Sequence, residues 1–161
     1  MMKNNKIVLA VKRGFTLIEL LVVIAILGIL STVVVVAVNP ARQLAKARDV
    51  QRETDLIGIM SAILQYSSEH SGSLPDTDGD PDISNFPGAA TCMGSDAGCF
   101  DLANSGDVGD EIVPVYLVEI PADPQADDPV GNTEYTIYVD VNGRLHAAAI
   151  GEINKPITVD R

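Results

Sequence analysis

A long run of apolar positions dominates the start of the chain. From Phe15 to Val38 there are 24 residues, and Glu19 is the only ionisable one among them. At about 1.5 Å per residue, such a helix is long enough to cross a bilayer core of roughly 30 Å. The basic residues before it would hold the N-terminus in the cytoplasm: Lys3, Lys6, Lys12 and Arg13. The pattern therefore predicts one membrane-spanning helix followed by an exported domain.

After Pro40 the pattern changes to an amphipathic helix that ends near Ser71. We expect Pro40 to kink the helix, and Gly72 with Pro75 to end it. The expected apolar stripe comprises Leu44, Ala47, Leu56, Ile57, Met60, Ile63 and Leu64. Asp49 and Arg52 are three residues apart, as are Arg52 and Asp55, so each of these pairs could form an ion pair on the helix. We interpret all three residues as part of a solvated helix face.

Alternating positions predict strands in the last third of the chain. Residues 134–141 alternate, Asn142-Gly143 is typical of a two-residue hairpin turn, and residues 144–150 would form the returning strand. Ile112–Ile120 predicts a strand interrupted by Pro114, and Ile157–Val159 an edge strand, whereas residues 83–109 predict a loop. The expected fold is α+β, with a long N-terminal helix packed on a small antiparallel sheet.

Charge is divided unevenly along the chain. From residue 15 onward there are 7 basic and 22 acidic residues, a net charge of 7 − 22 = −15. From Ser71 onward the count is 3 basic against 17 acidic, or −14. A phosphate-binding surface needs clustered Lys and Arg, so direct nucleic-acid binding by this domain is not expected.

Glu19 is costly in a membrane helix, because an unpaired carboxylate in hydrocarbon is penalised by about 2.5–3.5 kcal/mol. We therefore expect another group to pair with this carboxylate. The segment Gly14-Phe15-Thr16-Leu17-Ile18-Glu19-Leu20-Leu21 resembles the type IV filament family, which includes type IV pilins and the pseudopilins of type II secretion and competence systems. An uncleaved signal anchor that tethers an unrelated domain is the alternative interpretation.

The resemblance implies how the chain is processed and assembled. A prepilin peptidase would cleave between Gly14 and Phe15, Phe15 would be N-methylated, and Glu19 would meet the Phe15 amine of a neighbouring subunit. An inner-membrane assembly platform would build the homo-oligomeric filament, which ends at the cell surface or outside the cell. The implied organisation is a leader over 1–14, a membrane and filament-core helix over 15–38, an amphipathic helix over 39–71 and an acidic head over 72–161.

Cys92 and Cys99 are the only two cysteines. In an oxidising compartment two cysteines in a Gly-rich loop most simply form a disulfide. Two free thiols, or half of a metal site, are the alternatives, although the six-residue spacing without a nearby His fits zinc poorly.

Alternating carboxylates around Gly79 suggest a calcium loop, formed by Asp76, Asp78, Asp80 and Asp82. Ca²⁺ takes six to eight oxygen ligands, but the loop lacks the final Glu of an EF-hand, since Pro87 stands at that position. An acidic surface turn is the alternative. Asp123, Asp127 and Asp128 form a weaker second candidate.

No catalytic motif occurs, and the two histidines, His70 and His146, are interpreted as structural or surface residues. We therefore predict a non-enzymatic subunit of a type IV pilus-like filament. A pseudopilin of a secretion or competence system is the first alternative. A membrane-anchored, calcium-dependent binding module is the second.

Overall fold

A computed structural model describes residues 14–77, 85–153 and 156–161. The described residues fall into two compact units, which divide after Pro40. The described elements are α1 (Leu17–Val38), α2 (Pro40–Glu69), β1 (Thr91–Cys92), β2 (Gly106–Asp107), β3 (Asp110–Glu111), a π-helical turn (Ile112–Tyr116), β4 (Thr136–Val139), β5 (Leu145–Ala149) and β6 (Ile157–Asp160). The predicted α+β class is confirmed.

The predicted break near Pro40 is confirmed, and it divides the helical region into α1 and α2. Asn39 caps the end of α1 in the left-handed region, at φ 47° and ψ 77°. A proline restricts the preceding residue to conformations outside the right-handed helix, and Asn tolerates the left-handed one better than most residues. The local sequence thus stops α1 and begins α2 at once.

The end of α2 is a Schellman-type cap whose details differ from expectation. The Gly72 N–H bonds to the Ser67 carbonyl at 2.8 Å. Ser71 holds the left-handed position at φ 58°, where the sequence predicted a glycine, and Gly72 follows at φ 95°.

The second unit contains a four-stranded antiparallel sheet in the order β1-β4-β5-β6. The β4–β5 hairpin and the edge strand β6 are confirmed. The predicted two-residue turn is wrong, however, because Val139 pairs with Leu145 and the Asp140 N–H bonds to the Arg144 carbonyl. The loop therefore has three residues, with Gly143 at φ 77°, a common alternative to the two-residue turn.

Two other β predictions need correction. No strand forms over Ile112–Ile120. Residues 112–116 make a wide turn instead, closed by the bond from the Leu117 N–H to the Ile112 carbonyl, and Val113 within it is extended at φ −112° and ψ 126°. Pro114 cannot donate to a ladder. Within the predicted loop 83–109, β1 joins the sheet beside β4, and β2 pairs with β3 in a separate short ribbon.

The core of the second unit forms where one face of α2 meets the sheet and the surrounding loops. The α2 side chains in this core are Leu56, Ile59, Met60, Ile63 and Tyr66. The inclusion of Leu44, Ala47, Ile57 and Leu64 in the buried stripe was wrong, since all four are exposed. At 100° per residue, Ile57 and Leu64 lie on a different side of the helix from Leu56 and Ile63.

A buried ion network holds the start of α2 to two distant loops of the same unit. Arg52 donates to both carboxylate oxygens of Asp123 at 2.6 and 2.8 Å, to Asp49 at 2.9 Å and to Glu152 at 3.1 Å. Arg48 donates two bonds to Glu152, at 2.5 and 2.6 Å. Arg52 and Asp49 are 2% and 3% exposed, so the prediction of a solvated face is wrong for both.

Other bonds satisfy the carboxylates near Arg52. Asp49 also accepts the backbone N–H groups of Glu152 and Ile153, at 2.7 and 2.8 Å. Asp55 accepts the hydroxyl of Tyr135 at 2.9 Å rather than pairing with Arg52.

Candidate assembly site at the N-terminal helix

The residues before α1 form a reciprocal cap on its first turn. Thr16 is extended, at φ −84° and ψ 151°, and its hydroxyl oxygen accepts the Glu19 N–H at 3.2 Å. Glu19 Oε2 in turn accepts the Thr16 N–H at 2.9 Å and the Thr16 hydroxyl at 2.8 Å. This is a capping box, in which two backbone donors that a helix start leaves unpaired are both satisfied.

The cap gives Glu19 a partner that the sequence analysis missed. The signal was present, because Thr16 and Glu19 stand in the Ser/Thr-x-x-Glu spacing of a capping box. The bonds of the cap involve Oε2 and the backbone N–H of Glu19, so Oε1 takes no part in the cap. A cation that approaches from outside could therefore meet the carboxylate without breaking the cap.

Phe15 and Gly14 lie ahead of the helix and are exposed, Phe15 by 88%. The bond between them is thus outside regular secondary structure. An exposed segment outside regular secondary structure is accessible to a peptidase. The geometry fits cleavage there, although the cleavage itself stays a prediction.

Beyond the cap, α1 is apolar on all sides. Its described side chains are all exposed, and Leu17–Val35 is long and apolar enough to cross a membrane. The two hydroxyls in this stretch bond to their own helix: Ser31 to the Leu27 carbonyl and Thr32 to the Ile29 carbonyl, both at 2.7 Å. Such a surface has to be covered by lipid or by other apolar helices.

The family model of the prokaryotic N-terminal methylation motif matches residues 9–35. The chain carries the N-terminal signature of type IV pilins and pseudopilins. This methylation signature covers the residues whose cap and apolar surface are described above. No curated protein and no solved structure matches the chain.

The methylation signature supports a type IV pilin-like or pseudopilin subunit. Proteins with this signature are structural rather than enzymatic, assemble into oligomers and are in general processed by a prepilin peptidase. The apolar helix and the signature together fit a membrane-anchored precursor.

The predicted disulfide is present in the second unit. Cys92 and Cys99 are bonded, with their Cα atoms 4.6 Å apart. Backbone bonds close the same loop, because Phe100 donates to the Cys92 carbonyl at 2.7 Å and Gly94 to the Phe100 carbonyl at 3.0 Å. The covalent link and the hydrogen bonds therefore pin one loop to the edge of the sheet.

The calcium prediction remains untested at its main candidate. Asp78, Asp80 and Asp82 lie outside the described residues, and the Asp76 carbonyl accepts the Gly106 N–H at 2.8 Å. The residues of the second candidate calcium site do not converge on a common point. Asp123 is bound to Arg52, Asp128 accepts the N–H groups of Val130 and Gly131, and the described part of the chain contains no group of three acidic, His or Cys residues that could hold a metal ion.

Both histidines pack on a tyrosine and face carboxylates. The His70 ring stacks on Tyr66 with centroids 3.9 Å apart, and its Nε2 lies 3.2 Å from Asp110. The His146 ring stacks on Tyr138, and its Nδ1 lies 2.7 Å from Asp160. These contacts are consistent with the structural roles predicted for both residues.

Proposed function

We propose that the chain is the structural subunit of a type IV pilus-like filament, made as a membrane-anchored precursor. The observation that carries the proposal is the first turn of α1, where an ionisable Glu19 stands at the head of a helix that is otherwise apolar. The Thr16 cap supplies hydrogen bonds to that carboxylate but no opposite charge, and an uncompensated charge is costly in hydrocarbon. A neighbour's terminal amine would supply the opposite charge.

The proposed steps begin at the Gly14–Phe15 bond and end with α1 packed in the filament. Cleavage between Gly14 and Phe15 creates a new amine close to the helix start, and methylation keeps that amine positive at neutral pH. The amine of one copy then meets Oε1 of Glu19 in the copy already assembled. The apolar surfaces of α1 exchange lipid contacts for contacts with one another, while the acidic second units remain in water.

The charge of Glu19 can be tested apart from its capping role. Glu19→Gln keeps the side-chain oxygen of the capping box, which accepts Gln as well as Glu, but removes the negative charge. We expect this variant to insert and to be processed normally, yet to give little or no assembled filament in the sheared-cell fraction. Thr16→Ala is the matched control, because it weakens the cap by about 1 kcal/mol and keeps the charge. Filament yield equal to that of the unmodified chain in the Gln variant would contradict the proposal.

The sheared-cell fractions also distinguish a pilus from a pseudopilus. Electron microscopy of micrometre-long surface fibres that contain this chain would favour the pilus, and the disulfide-pinned loop is the feature that inclines us to it. Processed protein that stays in the periplasm, in a cell whose neighbouring genes encode a secretin and exported hydrolases, would favour the pseudopilin alternative.

A further inference from the structure

The second unit holds a cavity of about 480 Å³ beside the disulfide-pinned loop. That volume lies in the range of about 300–1,000 Å³ that ligand-binding pockets occupy. The ionisable residues that line it are Asp101 and Glu119, so no cation lines the cavity among the described residues. Its walls are mainly apolar, and the aliphatic side chains in them include Leu102, Val113, Ile120 and Val130.

Backbone contacts hold one wall of this cavity in place. Ser95 donates its N–H to the Val130 carbonyl at 3.0 Å. Gly94 lies so close to Gly131 that a Cβ atom at Gly94 would come within 2.1 Å of the Gly131 carbonyl oxygen. The cavity wall is therefore preformed, and an occupant does not have to order it on binding.

Glu119 lies at the rim of the cavity without a counter-charge. It is exposed, and no hydrogen bond or ion pair joins its carboxylate to any residue in the described part of the chain. Asp101, by contrast, accepts the side-chain amide of Asn104 at 2.8 Å. An apolar cavity with an unpaired carboxylate at its mouth favours an occupant that joins an apolar group to a cation.

The loop between β4 and β5 has that composition, and we call its residues 141–144 the knob. Val141 is completely exposed, and the exposed Arg144 side chain has no partner within the described ranges. The Asp140 carboxylate fixes the shape of the loop, because it accepts the N–H groups of Asn142 and Arg144, both at 2.8 Å. A loop that is already ordered loses little conformational entropy when it binds.

Charge favours the knob as the surface that approaches the cavity of another copy. From Ser71 onward the chain carries −14, so two second units repel one another over most of their surface. This stretch has three Lys and Arg residues, of which Lys155 lies outside the described residues. The other two are Arg144 in the knob and Arg161, which is hydrogen-bonded to Leu145 beside it. The knob therefore lies where this acidic stretch carries its described cations.

We infer that the knob of one copy binds in the cavity of a second copy, with Val141 among the aliphatic side chains and Arg144 beside Glu119. The knob and the cavity are different surfaces of one chain, so each copy can use both, and such head-to-tail contacts build open arrays. The inference rests on the proposed function, because an exposed ion pair contributes little alone and a shared membrane anchor raises the local concentration of copies. It deepens that function by naming a contact between second units.

Cross-linking between two singly substituted full-length chains tests this contact in cells. Both native cysteines form the disulfide, so each introduced cysteine is the free thiol of its chain. Chains with Val141→Cys and with Val130→Cys, which carry different epitope tags, pair the knob with the cavity wall. Val108→Cys replaces Val130→Cys in the matched control, because Val108 is more exposed, at 98% against 74%, and does not line the cavity. After mild oxidation of membranes and sheared filaments, we expect a cross-link between the two tags from the first pair and its loss in the control pair.

A charge swap tests the pairing of Glu119 with Arg144 in the same cells. Both side chains are exposed and lack partners in the described residues, so the second unit should melt as before in each variant. Glu119→Arg on both chains places like charges opposite one another and should abolish the cross-link between knob and cavity. Arg144→Glu added to both chains restores opposite charges and should restore the cross-link.

The contact would be overturned by equal cross-linking from both pairs, by no cross-linking from either, or by a cross-link that Glu119→Arg leaves unchanged or the charge swap fails to restore. Filaments that form without the cross-link would reject the contact and leave the proposed function standing. The cross-link in membranes of cells that shed no filament would support the contact and count against the filament.

Discussion

At the scale of single residues, Arg52 shows how a charge can be buried in this chain. Its guanidinium is almost completely covered and donates to three carboxylates, while Asp49 also accepts two backbone N–H groups. The hydrogen bonds to Asp123 raise the pKa of Arg52. Burial alone would raise the pKa of Asp123, but the bonds from Arg52 outweigh burial and hold that pKa below its usual range.

Arg52→Met should be strongly destabilising. It keeps the aliphatic length of the side chain but leaves Asp49 and Asp123 without their counter-charge, and breaking a buried pair in this way costs about 3–5 kcal/mol. Urea denaturation of a fragment spanning 41–161 would measure the loss of unfolding free energy.

Arg48→Met is the control for that substitution. The Arg48 side chain is 32% exposed and binds only at the outer edge of the network, so its loss should cost about 0–1 kcal/mol. If the two variants lose the same unfolding free energy, burial does not make the ion pairs of Arg52 more stabilising than those of Arg48.

The sequence could reveal the capping box, since Thr16 and Glu19 have a known spacing, but not the ion network. Asp123 and Glu152 lie 71 and 100 residues from Arg52 along the chain. A local pattern of charged residues on α2 looks the same whether the partners are water molecules or distant carboxylates. Only the tertiary fold decides between them.

At the scale of elements, the β4–β5 hairpin and β6 are joined by a side-chain clasp. His146, on β5, lies between Asp160 on β6, at 2.7 Å, and Asp140 at the start of the hairpin loop, at 3.5 Å. The hydrogen bond to Asp160 and then the contact with Asp140 raise the pKa of His146. Backbone N–H bonds, led by that of Arg144, lower the pKa of Asp140 to about 2.

These shifts predict a window of pH in which the clasp is most stabilising. Because the pKa of His146 is higher in the folded state, its contribution is complete below the unfolded value of about 6.5 and is lost as pH rises through the folded value. The contribution of Asp140 is present above about 3.9 and is lost as pH falls toward 2. Unfolding free energy measured from pH 3 to 9 should fall on both sides. His146→Gln should flatten the alkaline side, and it should change the acid side less, because the bond from His146 is the smallest of the causes that lower the pKa of Asp140. An unchanged alkaline slope in His146→Gln would exclude the clasp as its cause.

Element type was predictable where the periodicity was strong, as in α1, α2 and the β4–β5 hairpin. The side of α2 that is buried was not predictable, because aliphatic residues recur at helical spacing on its buried side and on its exposed side. Composition cannot tell Ile57, which is exposed, from Ile59, which is buried. The short strands β1 to β3 have two residues each, too few to show an alternation.

At the scale of the whole molecule, the chain joins an apolar helix to a strongly acidic unit. Four of the 17 carboxylates from Ser71 onward fall within the seven residues Asp76–Asp82. Like charges this close repel unless a cation screens them, so calcium binding by this loop stays a prediction.

Calcium binding has a measurable consequence for stability. A hundredfold excess of Ca²⁺ over its dissociation constant would stabilise the native state by about 2.7 kcal/mol, and Mg²⁺ should do much less. Thermal unfolding in CaCl₂, MgCl₂ and EDTA would show it, with Asp78→Ala plus Asp80→Ala as the variant that removes the shift. Equal melting in all three buffers would leave the loop an acidic turn.

The central claim is that the methylation signature marks a subunit which is processed before it assembles. The most direct measurement is the intact mass of the chain recovered from sheared filaments of a host that carries the peptidase. We predict a chain that begins at Phe15, has one added methyl group and is two hydrogen atoms lighter because of the Cys92–Cys99 disulfide. A chain that still carries residues 1–14, recovered from membranes with no assembled fraction, would contradict the account.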